Sequence, residues 1–318
     1  MTVSVPQPAT RQYRRLTPAV RLGTRSSFLL LLTTLFGIAA FAWPLLIHQS
    51  SGPNSAHNGD APWIFVGLVP LLLAIVMAEL SEGAIDAKAV ALLGILAACF
   101  AALRVPSPGI NGFEPEWFLL ILAARVFGRG FGFVLGATAF FASALITGGV
   151  GPWLPFQMLA AAWVGFGAGC LPPMRGFPER LMLAGYGVVS ALVYGLLTNF
   201  WFWPFVGGST TTYSFVPGLG TIENLHRFIL FDLTTSMGFD LTRAVTCAVL
   251  VLVLGRPVLA ALRRASRRAV FEPTIEFVDQ AGDETVLSGQ ARENAGAGRQ
   301  RNEPSHPAAG PRSSPREP

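Results

Sequence analysis

Four carboxylates stand close enough along the chain to work in pairs: Glu79 with Glu82, one helical turn apart, and Glu114 with Glu116, just ahead of Trp117. Paired carboxylates divide general acid and general base roles when their surroundings push their pKa values apart. In this chain such chemistry would mean a polytopic membrane enzyme working on a lipid-linked substrate. Glu79 and Glu82, however, close an apolar run, where acids ordinarily solvate a helix end, and that role outweighs catalysis. Other chemistries fall by inventory. A single lysine, Lys88, and no G-x-x-x-x-G-K-S/T leave the chain without a P-loop. His48, His57, His226 and His306 are scattered with no H-E-x-x-H, and no G-x-S-x-G elbow occurs. Cys99, Cys170 and Cys247 lie in apolar stretches without C-x-x-C or Cys/His spacing, so they read as small core residues, not as disulfide or zinc ligands. The expectation is a chain with no catalytic residue, no metal and no cofactor, one that binds and does not transform.

Residues suited to binding are easier to find. Trp153 and Gln157 flank a Pro-bounded turn, Asn199, Trp201 and Trp203 end an apolar run, and Asn224 follows in a long polar connection with Tyr213, Arg227 and Asp232. Aromatic rings at a water boundary ordinarily form a belt. An amide in hydrocarbon is costly without a partner, so Gln157 and Asn199 need another helix or a ligand. Asp240 and Arg243 are three apart on one helical face, where they either pair with each other or meet a ligand. The expected binding set is Trp153, Gln157, Asn199, Trp201, Trp203 and Asn224.

The elements that must position these residues follow from composition. Of 318 residues 52% are apolar and 13% charged, about half the charge of a soluble domain, so the bilayer is the main solvent. Apolar runs at 27–47, 62–80, 87–103, 117–127, 131–148, 155–171, 181–202 and 241–262 predict an all-α membrane protein of eight transmembrane helices, with a break or re-entrant turn past Gly128. Lys and Arg alternate with these spans. Arg11, Arg14, Arg15, Arg21, Arg25, Lys88, Arg125, Arg129, Arg175, Arg180, Arg256, Arg263, Arg264, Arg267 and Arg268 fall on one side, and only Arg104, Arg227 and Arg243 on the other. By the positive-inside rule both termini are then cytoplasmic, in the plasma membrane. The basic excess belongs to topology, and nucleic acid is excluded as a partner. Residues 1–26 read as a basic cytoplasmic tail, 27–80 as two extra helices, 87–268 as a six-helix bundle, and 269–318, rich in Pro, Ser and charge, as a disordered cytoplasmic tail.

Small residues at four-residue spacing mark close helix contacts, because in lipid helices associate by backbone approach. They recur at Gly128, Gly132 and Gly136, at Gly94, Ala98 and Ala102, and at Gly165 and Gly169. Internal packing accounts for most of them. The Ala-rich run from Ala87 is the best candidate for a face offered to another membrane protein.

The stretch 87–172 resembles the substrate-binding (S) component of energy-coupling factor vitamin transporters. The resemblance rests on the Ala-rich helix ending at Arg104, the Pro/Gly loop after it, the turn Gly128-Arg129-Gly130-Phe131-Gly132 and the run from Gly148 through Trp153 to Met158. It extends over about 87–262 and departs from the family pattern in two additional N-terminal helices, a long C-terminal tail and a long last outer loop. It implies a six-helix bundle that captures a vitamin or related micronutrient, such as cobalamin or another corrinoid, or a smaller thiamine-, riboflavin- or queuosine-type compound. The bundle would dock through Ala87, Ala91, Gly94 and Ala98 onto a transmembrane coupling (T) protein driven by two cytosolic ATPase subunits, with the 104–116 loop as a gate moving on Gly109 and Gly112. The alternatives are an autonomous secondary transporter and the membrane enzyme described above.

Overall fold

A chain that must satisfy its backbone without water folds as helix. The computed structural model accordingly contains helices and no strand among its described residues, which are 23–42, 87–107, 112–205, 211–216 and 219–269 with isolated positions at Ala19, Pro44, Gly67 and Leu71. The helices are α1 (Thr24–Phe41), α2 (Ala87–Arg104), α3 (Glu116–Phe127), α4 (Arg129–Thr147), α5 (Leu154–Cys170), α6 (Phe177–Phe202), α7 (Thr221–Phe231) and α8 (Met237–Ala269). A 3-10 turn, Trp203–Phe205, extends α6, and five π-helical residues, Asp232–Ser236, join α7 to α8. The expected span at 62–80, both tails beyond these bounds, and Glu79, Glu82, His48, His57, His306 and Gly109 lie outside the described residues.

Among the described residues five helical segments are long and apolar enough to cross a membrane: α1, α2, α4, α6 with its extension, and the α7–α8 rod; α5 is apolar but shorter. The expected crossing at 117–127 does not have this form. With 12 residues, α3 is about 18 Å long, against a hydrocarbon thickness of about 30 Å. Its sequence is apolar all round, and every residue except Arg125 is buried, so α3 stands inside the bundle with protein on all sides. It ends at Gly128, whose φ of 96° only glycine adopts without strain, and α4 starts at the next residue.

Packing around α3 uses the small-residue ladders. A Cβ at Gly132 would collide with the Gly165 carbonyl oxygen, and one at Gly165 with the Gly132 carbonyl, so α4 and α5 touch backbone to backbone. Gly136 meets the Ala161 carbonyl and Gly169 the Arg129 amide in the same way. On the other flank α6 lies along α8, where Gly187 faces the Cys247 thiol. α1 joins through Phe41, 5.3 Å from the Phe156 ring, and through Thr34, which accepts a hydrogen bond from Trp163 Nε1 at 3.3 Å. Of the three free cysteines only Cys247 is a core residue; Cys99 and Cys170 are exposed. An apolar run in a membrane has a lipid face as well as a protein face, which is why apolar surroundings alone misplace them.

Candidate functional site

α5 and α6 build a cavity at one end of the bundle. The chain turns at 148–153 and enters α5 with Pro155 in its first turn, where a missing N–H costs nothing. Trp153 stands at the helix start, 41% exposed, with its Nε1 donating to the Gly149 carbonyl at 3.1 Å. Gln157 follows one turn later, and the last turn of α6 brings Thr198, Asn199, Trp201 and Phe202 against it. Together with Phe156 these residues line a cavity of about 410 Å³. Phe156 and Trp201 lie 4.6 Å apart between ring centroids. Among the described residues Trp201 Nε1 is buried with no hydrogen-bond partner, and the Gln157 side-chain amide makes no hydrogen bond. Asn199 is anchored: its Nδ2 donates to Asp232 Oδ1 at 2.8 Å, and Asp232 opens the π-helical segment.

Four of the six expected binding residues, Trp153, Gln157, Asn199 and Trp201, therefore share one cavity. The other two serve the connection between α6 and α7. Trp203 is fully buried against Phe215 and Phe228 and donates to the Tyr213 carbonyl at 2.7 Å. Asn224 spends its amide on backbone, accepting from Val216 N at 3.1 Å and donating to the Val216 and Leu219 carbonyls at 3.0 and 3.3 Å. Phe156, Thr198 and Phe202 were not anticipated, since nothing in spacing separates a lining Phe from a packing one.

Beside the cavity α6 also faces a buried ionic network. Arg243 donates to both oxygens of Glu114, at 2.7 and 3.1 Å, and to Asp240 Oδ1 at 2.6 Å, with its guanidinium 5.1 Å from the Tyr194 ring. The Asp240–Arg243 pairing left open by spacing is thus made, and Glu114, 129 residues away, is the partner spacing could not reveal. Burial alone pushes the Glu114 carboxyl up, but the Arg243 charge outweighs it and, with the Trp117 Nε1 hydrogen bond, holds it below the usual carboxylate range. Glu116, which closes the connection ahead of the expected 117–127 span, behaves oppositely. Burial together with the Glu114 charge pushes it up to about 7. Among the described residues its Oε1 has no hydrogen bond and lies 3.8 Å from Arg104, while Ser107 donates to its Oε2 at 3.3 Å. Gly112 seats this connection: its φ is 71°, and a Cβ there would strike the Phe239 backbone at the start of α8.

At the far end of α6, Glu179 is buried and accepts from Arg125 at 2.9 Å and from Arg263 at 2.6 and 2.7 Å. Arg125 completes its set on the Leu171 and Pro172 carbonyls. Ala87, Ala91, Gly94 and Ala98 lie on one exposed face of α2, and no described atom comes within 4 Å of a Cβ built at Gly94. No group of three or more His, Cys, Asp or Glu that would hold a metal occurs among the described residues. Compared with known proteins, the chain matches no family model, no curated protein and no solved structure.

Proposed function

We propose that this chain is the substrate-binding subunit of an ATP-driven importer of the energy-coupling factor type, set in the plasma membrane as a multi-pass helical bundle with both termini in the cytoplasm. The observation that carries the reading is the cavity shared by Trp153, Gln157, Asn199 and Trp201: aromatic walls with two amides and an unsatisfied indole N–H, at one end of a membrane bundle. Binding sites for small molecules are largely apolar with a few oriented polar groups, and about 300–1,000 Å³ in volume. At about 410 Å³ this one suits a compound of thiamine or riboflavin size and is small for a corrinoid. Rings of the ligand would stack on Trp153 and Trp201, and Gln157 would read its polar edge. Trp203 and Asn224 would shape the covering connection instead of touching the ligand. The exposed small-residue face of α2 would receive the coupling protein, whose two ATPase subunits supply the work.

The test is a thermal-shift screen of the purified chain against vitamins and their precursors, paired with uptake assays with and without an ATPase module. A stabilising compound whose uptake needs the ATPase is the expected result. No stabilising compound, together with uptake that ignores the ATPase, would overturn the reading. The buried carboxylates Glu116 and Asp240, with the half-buried Glu114, favour the second reading, an ion-coupled secondary transporter. Uptake abolished by a protonophore while the ATPase is absent would select it.

A further inference from the structure

The end of the bundle remote from Trp153 holds a second cavity, of about 600 Å³, with a different chemistry. Arg180 from the first turn of α6 and Arg256, Arg263, Arg264 and Arg267 from α8 line it, and Glu179 is the one carboxylate in its wall. Glu179 is already engaged by Arg125 and Arg263, so it offsets at most one of the charges around it. Arg256, Arg264 and Arg267 form no ion pair among the described residues. Like charges gathered around one cavity repel unless an anion enters.

Two further features prepare the place. Arg180 is fixed: its stem passes 3.5 Å from where a Cβ on Gly255 would stand, and its Nη1 donates to the Leu252 carbonyl at 2.8 Å. The N-terminus of α6 opens on the same cavity through Gly176 and Phe177, with no side-chain cap, and unpaired N–H groups at a helix start favour anions. Guanidinium forks bind the oxygens of phosphate or carboxylate in pairs, and a phosphate, with more oxygens to share, can engage several arginines at once. Beside the rim Phe177 and Leu181 are 60% and 56% exposed, apolar surface of the kind an acyl chain covers.

We propose that this cavity binds a phosphate group of net negative charge, clamping the start of α6 to the end of α8. An anionic phospholipid headgroup and a soluble phosphate share that chemistry. The experiment titrates the full-length chain, purified in a neutral detergent, with dioleoylphosphatidylglycerol, dioleoylphosphatidylcholine or pyrophosphate at constant ionic strength, reading adducts by native mass spectrometry and Tm by thermal unfolding. A shift and adduct with phosphatidylglycerol alone assigns a lipid. An equal response to pyrophosphate assigns a soluble phosphate. Either supports the site, provided that R256Q/R264Q/R267Q weakens binding tenfold or more while R25Q/R268Q changes it less than twofold. Should the triple variant fail to fold, R264Q alone decides, with a loss of about threefold expected. Equal response to phosphatidylcholine, whose choline neutralises its phosphate, no response to either anionic compound, or undiminished binding by the arginine variants would overturn the proposal.

Discussion

Two ladders of small residues meet opposite fates in this molecule. On α4 and α5, Gly132, Gly136 and Gly165 are consumed inside the bundle, carbonyl against glycine, with no room for a methyl group. On α2, Ala87, Ala91, Gly94 and Ala98 have the same spacing and face outward with nothing described upon them. Spacing states only that a backbone can be approached, and the neighbour decides whether it is. The same division separates the amides: Asn224 is used up on loop backbone, whereas Gln157 keeps its amide for the cavity.

The sharpest way to break this contrast is to enlarge one residue of each ladder. Gly165→Leu should cost about 3 kcal/mol or more, since neither backbone can retreat, and is expected to abolish a monodisperse peak in size-exclusion chromatography. Gly94→Leu should leave thermal unfolding within about 0.5 kcal/mol of the parent. If the two variants unfold alike, the α2 face is not free. The same Gly94→Leu chain, on the proposed function, should lose tenfold or more of ATPase-dependent uptake while still binding ligand; full uptake would remove α2 as the docking face.

Smaller effects test the amides. Gln157→Ala should weaken ligand binding by about 1 kcal/mol, roughly fivefold, in isothermal titration, with Tm unchanged in the absence of ligand. Asn224→Ala should do the reverse, lowering Tm by several degrees and leaving affinity alone; a shared phenotype would merge the two sites. The smallest effect concerns pH. Because the folded state holds the Glu116 proton up to about 7, it binds more protons than the unfolded chain between about 4.5 and 7, so stability falls as pH rises through that window. A decline of roughly 2–4 °C in Tm across it is expected, and Glu116→Gln should flatten that part of the profile.

The helical class, the presence of helices long and apolar enough to cross a membrane, and most helix positions were legible because apolar runs are local signals. The bundle's interior was less so. α3 carries an apolar run like the others, and its central burial follows from a length that only the break at Gly128 and the start at Glu116 define. In the site, Trp153, Gln157, Asn199 and Trp201 could be named because amides and aromatic rings are conspicuous at helix ends. Long-range partners could not: Asp232 reaches Asn199 through a π turn, Glu114 reaches Arg243 across 129 residues, and Glu179 meets Arg263 across 84. Trp203 and Asn224 show the converse, equally conspicuous residues whose bonding capacity is spent locally.

The shortness of α3 also has an electrical meaning. A helix of about 18 Å enclosed by protein keeps both poles of its backbone dipole inside the bundle, positive at the Glu116 end and negative at the Gly128 end. Glu114 and Glu116 stand at the positive pole, and Arg125 and Arg129 at the negative one, so side-chain charges complement the helix at each end.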